Sequence, residues 1–350
     1  MRLLILGTGS MAGTHAQEFG GIEGVTLAAC VDIDRARAEA FAEAHGIASV
    51  HDSLADALAS GEVDAVANVT PDALHFATTL QALDAGCHVF CEKPLATTHE
   101  DALAMTRAAE VAGVVNGVNL TYRNVSALQK ARELIDEGVL GEIRHFEAAY
   151  LQSWLTQPAW GDWKTEDRWL WRLSEKHGST GVLGDVGIHI FDFATYAIGS
   201  DIRAMTSFLK TFPKAPGDRI GGYDLDANDS MVMTAELQSG ATGVIHASRF
   251  ASGHLNDLRL KVFGTAGGIE VTNTGELGTL RLCTGPDLVT GTWRDVPLAP
   301  VRTNYWRFAD AVKHGRPMKP DFATATRLQA VIDAAFEANR AVSRTEIASS

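Results

Sequence analysis

Two short stretches of this sequence carry residue types that could do chemistry. In Gly184-Asp185-Val186-Gly187-Ile188-His189 an acid and an imidazole stand four residues apart at the start of a predicted helix, so they share a helix face. An imidazole is the usual group for proton transfer near neutral pH, and a carboxylate beside it can hold its orientation. Metal binding would need a third ligand at helical spacing; neither that nor an H-E-x-x-H pattern is present, so no metal is expected. The second stretch is Glu92-Lys93-Pro94, directly after an apolar run. Proline forces the residue before it out of the helical region, and a cis peptide would aim Lys93 sharply. Its ammonium could donate to an oxygen whose charge grows as a hydride leaves or arrives. Taken singly, a His–Asp pair is more often structural and a loop lysine more often solvated.

Gly7-Thr8-Gly9-Ser10-Met11-Ala12 gives both stretches a setting. It is the G-x-G-x-x-A form of the dinucleotide fingerprint, placed after an apolar run and before a helical pattern. Gly7 permits the tight turn, Gly9 lets the backbone approach a pyrophosphate, and Ala12 allows close helix–strand packing. Free N–H groups at the helix start, around Ser10 and Met11, would face the phosphates. Asp32 supplies the acid expected about 20 residues further on. A carboxylate there accepts from ribose hydroxyls and repels a 2′-phosphate, which favours NAD. Arg35 and Arg37 keep NADP as the alternative, though two solvated arginines on a helix face are the plainer explanation.

Elements of two kinds must position these groups. Over the first 120 residues, apolar runs at 3–6, 25–31, 65–69, 88–91 and 114–118 alternate with helical patterns at 34–45, 74–85 and 99–112, each followed by glycine. Apolar runs without alternation fit buried parallel strands, and strands alternating with helices give a doubly wound sheet. Beyond residue 120 one helix, 126–137, precedes strand-like runs at 143–150, 203–210, 231–237, 242–249 and 258–263. Gln238-Ser239-Gly240 reads as the turn of an antiparallel hairpin. Helical segments at 305–313 and 323–342 close the chain. The expected fold class is α/β: a Rossmann domain over 1–120, then an α+β domain over 121–350 with a large open-faced, mainly antiparallel sheet. The terminal helices could pack back on the first domain. The boundary near residue 120 has no linker composition, which suggests tight packing with a cleft.

The totals bound the function. The 350 residues suffice for two domains, and 46% apolar composition lets each bury a core. A formal net charge of −13 disfavours nucleic acid and anionic membranes as partners, and leaves a neutral small molecule open. Cys30, Cys87, Cys91 and Cys283 form no CxxC pair or compact framework, and the first apolar run is too short for a secretory signal. Reduced thiols and a cytoplasmic location are expected.

The whole chain, from Gly7 to about Arg340, resembles the family named for glucose–fructose oxidoreductase, inositol dehydrogenase and MocA. The residues that carry the resemblance are Cys91-Glu92-Lys93-Pro94-Leu95, Asp185-Val186-Gly187-Ile188-His189, Val262-Phe263-Gly264-Thr265-Ala266-Gly267-Gly268, Val69-Thr70-Pro71 with His75, and Asn119-Leu120-Thr121-Tyr122-Arg123. Many members have a glycine run before the aspartate, where this chain has Gly178-Ser179-Thr180-Gly181. The resemblance implies that Lys93 and His189 match catalytic positions, with Asp185 supporting them or contacting substrate. It implies cofactor contacts at Thr70, Pro71, His75, Glu92, Lys93 and Asn119, and substrate contacts at Tyr122 and Arg123. It also implies a homodimer or homotetramer formed through the C-terminal sheet.

Five tryptophans, Trp154, Trp160, Trp163, Trp169 and Trp171, crowd one loop together with Arg168 and Arg172. Indole faces can pack on sugar rings, while the ordinary alternative is a small core under a long loop. Trp163 and Arg168 are the loop's candidate substrate contacts. These expectations converge on hydride transfer between NAD and a secondary alcohol or ketone of a sugar, inositol or glycoside. The rival expectations are a glycosidase that retains NAD in a redox-neutral cycle, and a non-catalytic sugar or dinucleotide sensor.

Overall fold

The computed structural model describes residues 1–158 and 160–341. They form two compact units: Met1–Thr121 with Arg302–Ala330, and Tyr122–Val301 with the residues from Val331 onward.

The first unit is built on six strands: β1 (Arg2–Leu6), β2 (Thr26–Val31), β3 (Ser49–His51), β4 (Ala65–Asn68), β5 (His88–Cys91) and β6 (Asn116–Val118). They lie in the order β3-β2-β1-β4-β5-β6, and every pairing is parallel. That is the Rossmann order, with the chain reversing its direction of travel beside β1. Leu3, Leu4, Ile5, Val66, Val89 and Phe90 are wholly buried, as in sheets covered on both faces. The connecting helices are α1 (Ser10–Gly20), α2 (Arg35–His45), α3 (Leu54–Ala59), α4 (His75–Asp84) and α5 (His99–Ala112). Asp34 and Thr98 cap α2 and α5 by accepting the N–H of Arg37 and Asp101. β3 and α3 were not anticipated. A three-residue half-buried edge strand has no apolar run to reveal it.

The second unit opens with α6 (Ser126–Asp136) and β7 (Ile143–Gln152). A short helix α7 (Asp167–Leu170) and a π-type turn (Leu183–Gly187) lead into α8 (Ile188–Ile198). β8 (Ile202–Lys210) and the small ribbon β9 (Arg219–Ile220) and β10 (Tyr223–Asp224) follow. Then come β11 (Ser230–Leu237), β12 (Thr242–Ser248), β13 (Asn256–Gly264), β14 (Gly267–Thr272), β15 (Thr279–Thr284), α9 (Asp287–Thr290) and β16 (Arg294–Asp295). Eight of these strands form one sheet, in the order β16-β15-β14-β13-β7-β12-β11-β8. Its pairings are antiparallel except β7 with β12. Period-two alternation buries one face: Met231, Met233 and Ala235 of β11 with Ile245 and Ala247 of β12. The 238–240 turn joins β11 to β12 as the sequence indicates, and Val262–Gly268 spans the β13–β14 hairpin.

The chain then returns to the first unit. Tyr305 and Phe308 of α10 (Asn304–His314) pack with Phe19 and Phe90 in its core. The last described helix is α11 (Phe322–Ala341). Val342, where the sequence pattern ends the helix, lies outside the described residues.

Candidate active site

In the first unit the glycine turn after β1 is shaped for a phosphate. Gly7 has φ +86°, and a Cβ there would lie 2.8 Å from the carbonyl oxygen of Val69, so the turn closes against the end of β4 only with glycine. Around a Cβ built at Gly9 there is nothing within 4 Å. Gly9 also starts α1, whose first turn no side chain caps, and Ser10 and Met11 are exposed beside it. Open space in front of uncapped helical N–H groups fits a dinucleotide pyrophosphate.

Asp32 stands just past β2. It accepts from the N–H and hydroxyl of Thr8, both at 2.8 Å, from the N–H of Asp34 at 2.9 Å, and from Arg37 Nη2 and Nε at 2.5 and 3.2 Å. Burial opposes its charge. The Arg37 guanidinium and the two N–H groups outweigh burial and hold the carboxyl well below the usual carboxylate range. Arg37 is therefore no solvated bystander, whereas Arg35 pairs with Glu39 and Asp52. A ribose binding at Asp32 must share the carboxylate with Arg37.

After β5 the chain turns through Glu92, Lys93 and Pro94, and the Lys93–Pro94 peptide is cis. Lys93 is half-buried, and its N–H donates to Glu92 Oε2. Glu92 itself faces inward: its Oε1 meets His15 Nε2 at 2.8 Å and Asn119 Nδ2 at 2.7 Å, and Asn119 also donates to the Tyr305 hydroxyl. Burial works against the Glu92 charge, but His15 and Asn119 hold its pKa down to about 2. Asn119 and His75 have no exposed surface. Thr70 is half-buried, with its hydroxyl on Asn68 Oδ1, and Pro71 is exposed. Thr70 and Pro71 can thus face a ligand, Glu92 keeps a small exposed surface, and His75 and Asn119 are wholly enclosed.

In the second unit Asp185 lies in the π-type turn before α8. Such a turn is wider than an α-turn, and it places Asp185 four residues before His189 at the start of α8. The Asp185 oxygens accept from Arg172 Nη1 at 3.1 Å and Arg249 Nη2 at 3.0 Å. Arg249 is wholly buried; it also donates to the carbonyls of Arg172 and Gly181 and lies over the Trp154 ring. His189 is 8% exposed, and the edge of its ring meets Tyr122 at 5.0 Å between centroids and 89° between planes. Tyr122 belongs to a closed hydrogen-bonded ring. Its hydroxyl meets that of Tyr150 at 2.5 Å, Tyr150 donates to Asn256 Oδ1, and Asn256 Nδ2 donates back to Tyr122 at 2.6 Å. Burial raises the pKa of both phenols, so they stay protonated through the neutral range.

The remaining sequence candidates are placed less favourably for a ligand. Arg123 forms a buried two-pronged pair with Asp192 and stacks on Tyr196. Trp163 is 6% exposed and donates to Leu155 O, inside a small core of Trp154, Leu155, Leu170, Leu173 and Leu225. Arg168 is exposed and paired with Glu166. No local pattern marks His15, Tyr305, Tyr150 or Asn256, whose roles depend on partners 28 to 186 residues away. For Arg249 a signal existed: an arginine closing the strand-like run 242–249.

Comparison with known proteins agrees with this architecture. Residues 1–120 match the model of an oxidoreductase family with an NAD-binding Rossmann fold, and 128–270 match the GFO/IDH/MocA C-terminal domain. Levoglucosan dehydrogenase of Pseudarthrobacter phenanthrenivorans is 31% identical over 222 residues, 59% of this chain and 55% of its own length. The chain thus spans little more than half of that relative. D-glucoside 3-dehydrogenase of Escherichia coli is 33% identical over 247 residues, 69% of this chain and 68% of its own length. A crystal structure of an oxidoreductase domain protein from Kribbella flavida superposes with a TM-score of 0.85 at 27% identity, covering 97% of each chain. Two matched domains, a full-length fold match and a relative one-third identical over most of its length establish that this chain belongs to the Gfo/Idh/MocA oxidoreductase family.

Proposed function

We propose that this protein is a dehydrogenase or reductase moving a hydride between NAD and a secondary alcohol or ketone of a neutral sugar, glycoside or cyclitol. The observation that carries it is the open space at Gly9 before an uncapped helix, with Asp32 at the next strand end. Bound NAD supplies the hydride acceptor. Gly7, Gly9, Ser10 and Met11 hold its phosphates, Asp32 its ribose, and Thr70, Pro71 and Lys93 line its reactive end. Glu92, His75 and Asn119 act from behind by fixing those turns. In oxidation the Lys93 ammonium steadies the substrate oxygen and His189 takes the hydroxyl proton. Nδ1 of that ring is enclosed, which supports exchange through Nε2. In reduction His189 returns the proton. Asp185 binds substrate as a fixed carboxylate.

A neutral substrate suits this chain because Arg123, Arg168, Arg172 and Arg249 each already face a carboxylate. Relatives named for levoglucosan and D-glucosides support a sugar or glycoside. The exposed sheet face, where Val232 pairs in register with Phe208, supports self-association. No helix of the described residues is long and apolar enough to cross a membrane, and four unbridged, buried cysteines fit a reducing compartment, which we take to be the cytoplasm.

The test is a panel of sugars, glycosides and cyclitols with NAD, followed by NADH absorbance. Stoichiometric NADH from one of them is expected. Aglycone release from a nitrophenyl glycoside with no added NAD and no NADH would replace the dehydrogenase with a redox-neutral glycosidase.

A further inference from the structure

The His75 ring opens α4 and has no exposed surface. Its Nδ1 lies 2.7 Å from the carbonyl oxygen of Pro94, and its Nε2 lies 2.9 Å from that of Thr70. A carbonyl oxygen only accepts. A neutral imidazole has one N–H and one lone pair, so in either tautomer one of these contacts would set lone pair against lone pair. In a dry site such a mismatch is at its most costly. Rotating the ring by half a turn offers no escape, because it would point C–H groups at both carbonyls. The imidazolium, with two N–H donors, satisfies both contacts at once.

The two carbonyls belong to different turns. Thr70 is in the turn that leaves β4, and Pro94 is in the turn that leaves β5 and carries Lys93. We infer that His75 is a standing imidazolium that ties these turns together, and so is a positioning residue for Lys93. The functional half of this inference rests on the role proposed for Lys93; the charge state does not. Among the groups around the ring, Cys91 comes from β5, Asp72 from the turn before α4, and the Pro94 carbonyl from the Lys93 turn. Burial disfavours the cation; Asp72 and the Pro94 carbonyl favour it, Cys91 favours it as a thiolate, and together they raise the pKa to about 10. The cation therefore stabilises the fold fully below the ordinary value of 6.5, and that contribution is lost as pH rises through about 10.

The charge is read by NMR of the full-length protein labelled with ¹⁵N in its histidine rings. One of the twelve histidines should keep two protonated ring nitrogens at about pH 8.5, and through-hydrogen-bond couplings to the ¹³C carbonyls of Thr70 and Pro94 should assign it without any substitution. If every ring shows a neutral tautomer at that pH, the inference is wrong. His75→Gln removes the charge and keeps at most one of the two bonds. It should lower kcat by about tenfold or more while NAD affinity and the sugar KM change by less than about twofold, because a displaced Lys93 harms the reacting geometry more than ground-state binding. Normal turnover by His75→Gln would overturn the positioning role even with the charge observed. The NMR experiment needs no substrate, so its outcome is separate from the fate of the dehydrogenase proposal.

Discussion

Arg249 and Asp185 form an ion pair, Nη2 to Oδ2 at 3.0 Å, in which the arginine side chain has no exposed surface and the aspartate keeps 26% of its own. A buried guanidinium is tolerable only with its acceptors in place, and here they are Asp185 and the carbonyls of Arg172 and Gly181. Arg249→Met should destabilise the fold, by less than the about 3–5 kcal/mol of stranding a fully buried charge, because Asp185 keeps Arg172 and some exposure to water. Arg249→Lys should recover only part, since an ammonium lacks the planar fork. Urea unfolding curves decide the matter, and an unchanged midpoint for Arg249→Met would show that the pair does not hold this turn.

Arg37 and Asp32, which form one ion pair, should together set the cofactor preference. The unmutated protein should bind NAD more tightly than NADP, because the carboxylate repels a 2′-phosphate. Asp32→Ser removes that repulsion and frees Arg37, so NADP affinity should rise. Adding Arg37→Ala to Asp32→Ser should reverse the gain. Fluorescence titration with both cofactors checks each step; equal NADP and NAD affinity before any substitution would overturn the assignment.

Lys93→Met should lose turnover while keeping most NAD affinity, the result expected of an ammonium placed on the substrate oxygen as proposed. His189→Ala should lose about 10²–10⁴-fold in rate, the usual worth of a positioned acid or base. Its pH–rate profile should also lose one limb. Normal rates for either variant would remove that residue from the chemistry.

Glu92 gives the fold an acid dependence of known sign. Its folded pKa of about 2 lies below the ordinary 4.5, so its contribution is present above pH 4.5 and disappears as pH falls towards 2. Glu92→Gln should be less stable than wild type at neutral pH. The gap between their unfolding free energies should be constant above about pH 5 and shrink below 4.5. A gap that persists to pH 2 would mean that the His15 and Asn119 contacts do not favour the ionised form.

Within the tryptophan loop the structure separates two behaviours. Trp163→Ala empties a core position and should cost roughly 3–5 kcal/mol. Trp171 is half-buried beneath Arg172, whose guanidinium carbon is 4.7 Å from its ring centre. Trp171→Ala should cost much less and raise the KM for the sugar. Melting curves and Michaelis constants on the two variants test this together; a Trp171 change that only destabilises would make the loop purely structural.

The sequence by itself determined what is local. Gly7, Gly9 and Ala12 follow a run of apolar residues and precede a helix, and those neighbours alone fix the turn chemistry and the parallel sheet around it. The strand-like runs 231–237 and 242–249, with the Gln238-Ser239-Gly240 turn between them, marked the hairpin in the same way. The tertiary structure decided which polar groups meet. Asp185 stands four residues before His189, and its oxygens also meet Arg172 and Arg249, 13 and 64 residues away, which no local pattern indicates. Trp163 and Arg123 have the right chemistry for a sugar, but one fills a core and the other holds Asp192. Periodicity reports which face of an element is buried. It carries no information on which distant residue a buried charge will find, and a charge removed from water must find one, so that choice is made only when the strands and turns have been brought together.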